Sequence, residues 1–404
     1  MLNVLEQLER ANHQTEIKFG LERIESFLEY IGNPQKNFRS ILITGTNGKG
    51  SVTFYISNLL CKYTDYKIGR YISPHLISWS ERFVINESIV SDTKLDEYSR
   101  FILHKTNEFE KINPLGSKLS VFETLTAVAF YMFANEGVDV ACLEVGMGGR
   151  LDATNVIKSE NLLCSVITNV SLDHTHCLGS SVEKIAYEKS GIIKENNSII
   201  TAAQNEALDV ITGKADELKA KINFVDVSLC KSYKEKNILI TVEVWDIIST
   251  KLNLLKIEKE KRVDFLQSIS FPGRFQIFPQ EKIILDGAHN PDAAIELRRL
   301  IDSRCKDKKI IYILGMLNKD YTSFIKNLIP LSSRVVCTEP VSDRATKKES
   351  LVKTVAELGA NPIEARDLGA AIEIARSNEH DYIVITGSLY LVGEALKLIE
   401  DGTI

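Results

Sequence analysis

The stretch ITGTNGKGSV contains the residue types that bind phosphate groups in proteins. Its three glycines, Gly45, Gly48 and Gly50, would let backbone N–H groups approach an anion, and Lys49 would supply a positive charge. The strict Walker pattern places Ser or Thr directly after the lysine, whereas Gly50 here separates Lys49 from Ser51. The spacing favours a phosphate-binding loop, with a plain turn between a strand and a helix as the alternative.

Carboxylate and imidazole side chains follow two other apolar runs. Glu144 ends the run ACLE, where a carboxylate is costly unless it is paired, for example with Arg150, or bound to a cation. Asp173 and His174 follow the run SVITNV. A lone histidine there is more often structural, but beside Glu144 and a phosphate loop His174 becomes a candidate metal or phosphate ligand. Because the sequence has neither HExxH nor a Cys/His zinc spacing, magnesium is the better metal hypothesis.

The second half of the chain repeats this arrangement in the stretch LDGAHNPDA. Asp286 ends an apolar run, and His289 follows shortly after the turn glycine. Asn290 and Pro291 suit the start of a helix, but that structural role requires neither Asp286 nor His289. Asp286 and His289 are therefore the stronger functional candidates of this stretch.

Two basic residues, Arg274 and Lys189, would each have an ordinary structural role if considered alone. Arg274 in FPGRF would usually be a solvated arginine, although it lies where it could reach a cleft between domains. Lys189 in AYEKSGIIK lies near the end of a helical pattern, where a surface ion pair or a helix-dipole contact is the usual role.

The elements that would position these residues alternate between strand and helix. The strand patterns SILITGTNG, VDVACLEVGMGG, LCSVITNVSLDH and IITAAQ are each followed by a helical pattern, which predicts a doubly wound α/β domain. Ligands of such sheets bind at the carboxyl ends of the strands. Between residues 222 and 265, alternating apolar and polar residues in INFVDVS, NILITVEVW and KLNLLKIEKEK predict a small antiparallel appendage.

From Lys282 the alternation of strand and helix restarts with KIILDGAHNP, KIIYILGML, RVVCTEP and YIVITGSLY. We therefore predict an N-terminal P-loop-like mononucleotide-binding domain over residues 1–270, with a mostly parallel sheet and the antiparallel appendage. A linker over 271–281 leads to a smaller C-terminal Rossmann-like α/β domain over 282–404.

The composition excludes several classes of protein. A hydrophobic content of 44% and a charged content of 25% are typical of a globular protein, and the net charge of -5 gives no general attraction to nucleic acid or anionic membranes. The apolar run in ETLTAVAFYMFANE is too short to cross a bilayer. The first fourteen residues read as a polar helix and not as a signal peptide. The seven cysteines include no C-x-x-C pair, which suits a reducing compartment, so we expect a cytoplasmic protein. The net charge favours small polar substrates, and we expect a monomer.

Taken together, these stretches resemble the folylpolyglutamate synthase and dihydrofolate synthase family, part of the Mur-ligase-like ATP-dependent amide ligases. The matching stretches follow the family's order and are GLERIESFLEYIGNP, GTNGKGSV, YISPHL, FETLTAVAF, LEVGMGGRLDATN, ITNVSLDHTHCLG, EKSGIIK, FPGRF, DGAHNP and GSLYLVGEA. TNGKGS is that family's form of the phosphate loop, which explains Gly50. The family usually also carries an HQ…NA segment ahead of the linker, and LLKIEKEKRVDFLQSIS does not contain one.

The resemblance implies a role for each candidate residue. The loop would bind the phosphates of ATP, the magnesium ligands would be Ser73, Glu144 and His174, and Lys189 would be carbamylated. Arg274 and Asp286 would contact ATP, with His289 beside the site of amide formation. The remaining implied residues are, for the nucleotide, Gly45, Thr46, Asn47, Gly48, Lys49, Gly50 and Ser51, and, for the pteroate pocket, Ser120, Leu151 and Ala153.

The resemblance also implies a reaction. The protein would use ATP to convert a dihydropteroate or folate carboxylate into an acyl phosphate, which the amino group of L-glutamate would attack. Dihydrofolate synthase activity, folylpolyglutamate synthase activity or both would fit. A related ligase with another acid acceptor, or a nucleotide-binding homologue with impaired catalysis, are the alternatives.

Overall fold

The computed structural model describes residues 20–112, 118–317 and 320–404. The described chain forms two compact units. The first extends to Pro74 and continues from Trp79 to Ser268, and the second combines His75–Ser78 with Ile269–Ile404. The helix predicted over the first fourteen residues lies outside the described residues.

The first unit is built on an eight-stranded, mostly parallel sheet. The spatial order of the strands is β4-β3-β2-β5-β1-β6-β7-β8, and the pairs β2–β3 and β3–β4 are antiparallel. The strands are β1 (Arg39–Thr44), β2 (Ile68–Tyr71), β3 (Phe83–Ile85), β4 (Ser88–Ile89), β5 (Val140–Glu144), β6 (Leu162–Ile167), β7 (Ser198–Thr201) and β8 (Lys221–Phe224). The central strands β1, β5 and β6 are buried along almost their whole length, since helices cover both faces of the sheet.

Helices of the first unit cover the sheet and fill its core. They are α1 (Glu22–Tyr30), α2 (Lys49–Tyr63), α3 (Asp92–Glu110), α4 (Val121–Asn135), α5 (Thr175–Leu178), α6 (Val182–Ser190), α7 (Asn205–Glu217), α8 (Tyr233–Lys251) and α9 (Lys259–Ser268). The apolar run ETLTAVAFYMFANE forms most of α4, which is buried on nearly all sides. Phe130 and Phe133 of α4 pack around Phe38, with ring centroids 6.0 and 6.1 Å from it. The run is therefore a core helix.

The location predicted for the antiparallel appendage is wrong. The stretch NILITVEVW lies inside helix α8, and KLNLLKIEKEK runs from the end of α8 into α9. INFVDVS contains the last three residues of β8, which pairs in parallel with β7. The antiparallel part of this unit is instead the small β2–β3–β4 meander. Several β-branched residues of α8, among them Ile238, Val242 and Ile248, are buried, so packing outweighs their preference for strands.

The second unit has a six-stranded sheet in the order β13-β12-β11-β14-β10-β9, in which the β9–β10 pair is antiparallel. Its strands are β9 (Gln276–Phe278), β10 (Ile283–Asp286), β11 (Ile310–Leu314), β12 (Arg334–Cys337), β13 (Asn361–Glu364) and β14 (Tyr382–Thr386). Its helices are α10 (Pro291–Arg304), α11 (Tyr321–Leu328), α12 (Lys348–Glu357), α13 (Leu368–Arg376) and α14 (Leu389–Glu400). The α/β class predicted for both halves is confirmed, and the segment assigned to a linker contributes the edge strand β9.

The segment His75–Ser78 packs within the second unit although the chain on both sides of it belongs to the first. A Cβ atom added at Gly393 of α14 would lie only 2.0 Å from the carbonyl oxygen of Leu76. Glycine at this position therefore allows the segment to lie directly against the helix backbone. None of the helices in the described ranges is long and apolar enough to cross a membrane.

Candidate active site

The predicted phosphate loop joins β1 to α2. The strand ends at Thr44 and the helix begins at Lys49. Gly48 precedes the helix with a φ of 86°, a left-handed conformation that favours glycine. A Cβ atom at Gly45 would lie 1.8 Å from the Thr168 hydroxyl oxygen, so no larger residue fits there. The sequence therefore folds here into a tight loop whose N–H groups precede a helix of 15 residues.

Residues just after the neighbouring strand β6 hold this loop in place. The backbone N–H of Asn47 donates to Asn169 Oδ1 at 2.8 Å, and that of Thr46 donates to the Asn169 carbonyl at 2.9 Å. Thr168 donates its hydroxyl to the carbonyl of Asn47 at 2.6 Å. Sequence analysis missed Thr168 and Asn169, although their position at the end of a parallel strand was a usable signal.

Two lysine ammonium groups converge on one carbonyl of the loop. Lys49 Nζ donates to the carbonyl oxygen of Gly45 at 3.0 Å, and Lys189 Nζ donates to the same oxygen at 2.8 Å. Lys189 is buried near the end of α6. Burial first, and then the charge of Lys49, hold the pKa of Lys189 well below its usual value, while Asp173 acts in the opposite direction. Lys189 therefore contacts the loop from α6, and the surface roles considered for it do not apply.

Ser73 and Glu144 are in contact at the carboxyl ends of the adjacent strands β2 and β5. The backbone N–H of Ser73 donates to Glu144 Oε2 at 3.0 Å, and Glu144 is 5% exposed. Arg150, the alternative partner of Glu144, pairs instead with Glu188 at 2.9 Å. Arg150 is therefore not the partner of Glu144, and the cation-binding role of Glu144 stays a prediction.

His174 lies on the loop after β6, directly before the short helix α5. Its φ of 49° is left-handed, and its Nε2 lies 4.0 Å from the Asp173 carboxylate. In the part of the chain that the structure describes, no three His, Cys, Asp or Glu side chains form a ready metal cluster. A metal at Glu144 would thus depend on hydroxyl and ligand oxygens as well, which suits magnesium better than zinc.

The residues predicted for an acceptor pocket lie on two neighbouring elements. Ser120 caps α4 in a reciprocal capping box with Glu123, and α4 packs against the single turn Ala153–Val156. Ala153 is buried and the adjacent Leu151 is half-buried. The structure thus brings Ser120 and Ala153 to adjoining segments and gives Ser120 a structural role as well.

Sequence analysis missed two further residues near the predicted acceptor pocket, Phe122 and Asp152. Phe122 of α4 is half-buried, lies over Gly146 and has its ring centroid 6.1 Å from that of Tyr71. Asp152 is buried and accepts hydrogen bonds from the backbone N–H groups of Met147 and Thr154 at 3.0 Å. Burial raises the pKa of Asp152, and the hydrogen bonds oppose that rise.

In the second unit, Arg274, Asp286 and His289 come together around Gly287. The two carboxylate oxygens of Asp286 accept from the N–H groups of Phe275 and Ala288, at 2.8 and 2.9 Å. The Arg274 guanidinium lies against Gly287, where an added Cβ would be 2.3 Å from it, and His289 Nδ1 is 2.8 Å from the Gly287 carbonyl. Asn290 caps α10, as its position before a proline predicts.

Asn237 of α8 was also missed, and it lies next to the phosphate loop. A Cβ atom at Gly48 would be only 2.5 Å from Asn237 Oδ1. Asn237 was not predicted as a site residue because the stretch that contains it, NILITVEVW, was interpreted as a strand. The pattern S-x-x-E at Ser232 and Glu235 is a capping signal that marks the start of α8, and the Ser232 side chain accepts from the N–H of Glu235.

A glycine loop that leads from a parallel strand into a helix, with two lysines on one of its carbonyls, defines a nucleotide-binding α/β protein of the phosphate-loop class. Residues 43–278 match the Mur ligase middle domain, and residues 276–398 match the dihydrofolate synthetase C-terminal domain. The probable dihydrofolate synthetase of Schizosaccharomyces pombe is 30% identical over 424 residues, covering 95% of this chain and 99% of the relative.

Solved structures agree with these matches. The folylpolyglutamate synthase of Thermotoga maritima has a TM-score of 0.81 at 32% identity and covers 98% of this chain and 97% of its own. A bifunctional folylpolyglutamate synthase/dihydrofolate synthase with Mn, AMPPNP and L-glutamate bound has a TM-score of 0.82 at 26% identity, with 98% of each chain covered. The chain therefore belongs to the folylpolyglutamate synthase and dihydrofolate synthase family of Mur-type ligases, and the resemblance seen in the sequence is confirmed.

Proposed function

We propose that the protein is an ATP-dependent ligase that joins the carboxylate of a pteroate or folate to the amino group of L-glutamate. The observation that carries this proposal is the convergence of Lys49 and Lys189 on a glycine loop, in a chain that belongs to this ligase family. A carboxylate is a poor acylating agent, so the reaction needs activation by ATP.

The chemistry proceeds in two transfers. An oxygen of the acceptor carboxylate attacks the γ-phosphorus of ATP, the bond from that phosphorus to the bridging oxygen breaks, and ADP leaves behind an acyl phosphate. The amino nitrogen of glutamate then attacks the acyl carbon, inorganic phosphate leaves, and the nitrogen loses a proton. Lys49 and the N–H groups of the loop counter the negative charge of the transferring phosphoryl group. The other proposed phosphate contacts come from the loop residues Gly45, Thr46, Asn47, Gly50 and Ser51.

Magnesium fits the residues near the loop, with Ser73, Glu144 and His174 as its proposed ligands. Glu144 is a buried carboxylate in contact with Ser73 at the carboxyl ends of β2 and β5, and Mg²⁺ prefers oxygen ligands. When bound, the ion would neutralise charge on the phosphates. Zinc suits this set less well, because its usual protein ligands are Cys, His and carboxylate side chains and do not include a serine hydroxyl.

The proposed acceptor pocket combines Ser120, Leu151 and Ala153 with the ring of Phe122. A half-buried aromatic ring beside buried small residues offers a flat apolar surface, which matches a flat heteroaromatic ring such as that of a pteroate. The burial of Asp152 next to this pocket adds a polar group that could orient the acceptor.

We further propose that Lys189 is carbamylated. Its lowered pKa favours the neutral amine, which is the form that attacks carbon dioxide, and the neighbouring Lys49 would stabilise the carbamate anion that forms. In the test, the protein is equilibrated with ¹³C-bicarbonate and its carbonyl ¹³C spectrum is compared with that of Lys189→Ala. A protein-bound carbamate resonance that is lost in the variant is expected. If neither spectrum contains one, the carbamate is wrong and the ligase proposal still stands.

The proposed nucleotide contacts outside the loop are Arg274, Asp286 and Asn237. We propose that His289 lies beside the site where the amide bond forms. The support is that Arg274, Asp286 and His289 form one cluster around Gly287, and that Asn237 lies against Gly48. The alternative of a catalytically impaired homologue was based on the absence of the HQ…NA segment and its asparagine. The buried Asn237 beside the phosphate loop weakens that alternative.

The experiment measures ATP-dependent phosphate release in the presence of magnesium and L-glutamate, with dihydropteroate or tetrahydrofolate as acceptor and product identification by mass. Turnover of dihydropteroate identifies a dihydrofolate synthase, and additional turnover of tetrahydrofolate identifies a bifunctional enzyme. Absence of turnover with both acceptors, despite ATP binding, would overturn the proposal and favour another acid acceptor or an impaired homologue. The cytoplasmic location and the monomeric state stay predictions, the second open to sedimentation analysis.

A further inference from the structure

Helix α1 lies beside both elements that carry the proposed acceptor pocket. It packs against α4, which begins directly after Ser120, and against the turn Ala153–Val156. Its apolar face, with Ile24 and Phe27, is buried in the core of the first unit. Helix α1 is therefore in a position to support the pocket from outside.

A polar residue of α1, Arg23, forms an ion pair with the first turn of α4. A guanidinium nitrogen of Arg23 lies 3.1 Å from Glu123 Oε1, and the two side chains are only 11% and 6% exposed. The other carboxylate oxygen, Glu123 Oε2, accepts from the backbone N–H of Ser120 at 2.7 Å. The Ser120 hydroxyl in turn accepts from the N–H of Glu123 at 3.2 Å. One carboxylate thus joins the arginine of α1 to the backbone of a proposed acceptor contact.

The capping box alone does not explain this ion pair. A neutral glutamine at position 123 would accept the hydrogen bond of Ser120 equally well, since the box forms with either Glu or Gln. A buried ion pair is also a poor source of stability, because apolar residues of similar size often stabilise a protein as much or more. Arg23 and Glu123 are therefore better explained by what they hold in place. They hold the start of α4, with Ser120 at its cap and Phe122 in its first turn.

We propose that Arg23 is a positioning residue for the acceptor, which acts through Glu123 to hold Ser120 and the ring of Phe122 in the orientation that binds a pteroate or folate. This inference rests on the proposed function, because it requires that Ser120 and Phe122 line the acceptor pocket. The phosphate loop lies on other elements, between β1 and α2. Loss of the ion pair should therefore weaken the binding of the acceptor and leave the binding of the nucleotide intact.

The test measures the affinity of pteroate for the full-length protein by calorimetric titration, with magnesium and the ATP analogue AMPPNP present. Arg23→Met removes the positive charge, and Arg23→Lys keeps it. Arg23→Met combined with Glu123→Gln removes the ion pair without leaving a buried charge unpaired, and it keeps an acceptor for the capping hydrogen bond. Lys158→Met is the matched control, since Lys158 pairs with Glu25 of the same helix at 2.8 Å but is 60% exposed. Urea unfolding verifies that each variant is folded, and the double variant decides the test if Arg23→Met does not fold.

We expect Arg23→Met and the double variant to bind pteroate about tenfold more weakly than the wild type, with Arg23→Lys within about threefold and Lys158→Met within about twofold of it. The affinity for AMPPNP and the number of sites per chain should not change, whereas a variant that merely unfolds would lose sites.

Wild-type pteroate affinity in the folded double variant would overturn the inference. An equal loss of affinity in Arg23→Lys or in Lys158→Met would also overturn it, because the charge of Arg23 would then not be the cause. Absence of pteroate binding to the wild type would overturn it together with the acceptor pocket. Binding that depends on Arg23, in a wild type without turnover, would support the inference and overturn the ligase reaction alone.

Discussion

Replacement of Gly48 by alanine tests the geometry of the phosphate loop most directly. Gly48 has a φ of 86°, and the added Cβ would lie 2.5 Å from Asn237 Oδ1 and 3.3 Å from its Cγ. Two costs therefore arise in the variant. The left-handed backbone is strained for alanine, and the Asn237 side chain must move away from the new methyl group.

The structure provides a control that separates these costs. Gly137 has a φ of 67°, but an added Cβ there would meet nothing within 4 Å. Left-handed strain costs about 1–2 kcal/mol, and the lower entropy of the unfolded alanine chain offsets about 0.4–1 kcal/mol of it. We therefore expect Gly137→Ala to lower the free energy of unfolding by roughly 0.5–1 kcal/mol. Gly48→Ala should cost about 1 kcal/mol more, since a displaced side chain leaves its preferred rotamer.

The assay is urea unfolding of Gly48→Ala, Asn237→Ala and the double variant, together with Gly137→Ala. In the double variant the side chain that obstructs the methyl group is gone, so the two single effects should sum to about 1 kcal/mol more than the double effect. Additive effects would refute the contact between Gly48 and Asn237. A Gly48→Ala effect equal to that of Gly137→Ala would refute it as well.

ATP affinity is a second quantity that can be measured in the same variants. Since Asn237 is a proposed nucleotide contact, Gly48→Ala and Asn237→Ala should both weaken ATP binding, whereas Gly137→Ala should leave it unchanged. Calorimetric titration with ATP measures this. Normal ATP affinity in folded Asn237→Ala would remove that residue from the nucleotide site while leaving the packing argument intact.

Four further predictions concern residues around the loop. Lys49→Ala should lower kcat at least a hundredfold with the protein still cooperatively folded, because one charge on the transferring phosphoryl is lost; near-normal turnover would contradict the phosphate role. Glu144→Ala should shift the magnesium dependence of turnover to higher concentration, and an unchanged titration would remove Glu144 from the metal site. Asn169→Ala should raise KM for ATP several-fold by loosening the loop, with the fold retained, and an unchanged KM would contradict that role. Because the pKa of Lys189 is lowered in the folded state, the unfolded state binds more protons and stability should rise with pH toward the unfolded value of 10.5; Lys189→Met should lose this rise, and the exposed Lys184→Met should keep it.

Much of the fold was predictable from local patterns. Strands β1, β5, β6 and β10 are largely apolar runs, and buried parallel strands have that composition. Strand β1 leads into Gly45, and β5 and β10 end in the carboxylates Glu144 and Asp286. The chemistry at their ends was equally visible, because parallel strands direct their carboxyl ends to one edge. The positions of the phosphate loop, Glu144 and Asp286 at strand ends could thus be predicted without a structure, while their roles stay predictions.

Helix α8 shows why other parts could not be predicted. It packs against α2 and against β6 and β7, so apolar side chains occur on more than one of its faces and the period of 3.6 residues is obscured. Alternating β-branched residues then imitate a strand. The capping pattern of Ser232 and Glu235 is a local signal of a helix, and the prediction of an antiparallel appendage did not use it.

The residues that hold the loop were hidden for a different reason. Asn169 and Asn237 lie about 120 and 190 residues beyond the loop in sequence, and each reaches it only because of the order in which strands and helices pack. The sequence of the loop specifies its glycines and its lysine, whereas the contacts of those residues depend on sheet order. Lys189 follows the same rule, since a residue with an ordinary helix-end pattern becomes a buried amine once α6 places it against the loop that follows β1. Its shifted pKa, and any chemistry that follows from it, is therefore a property of the fold and not of the motif.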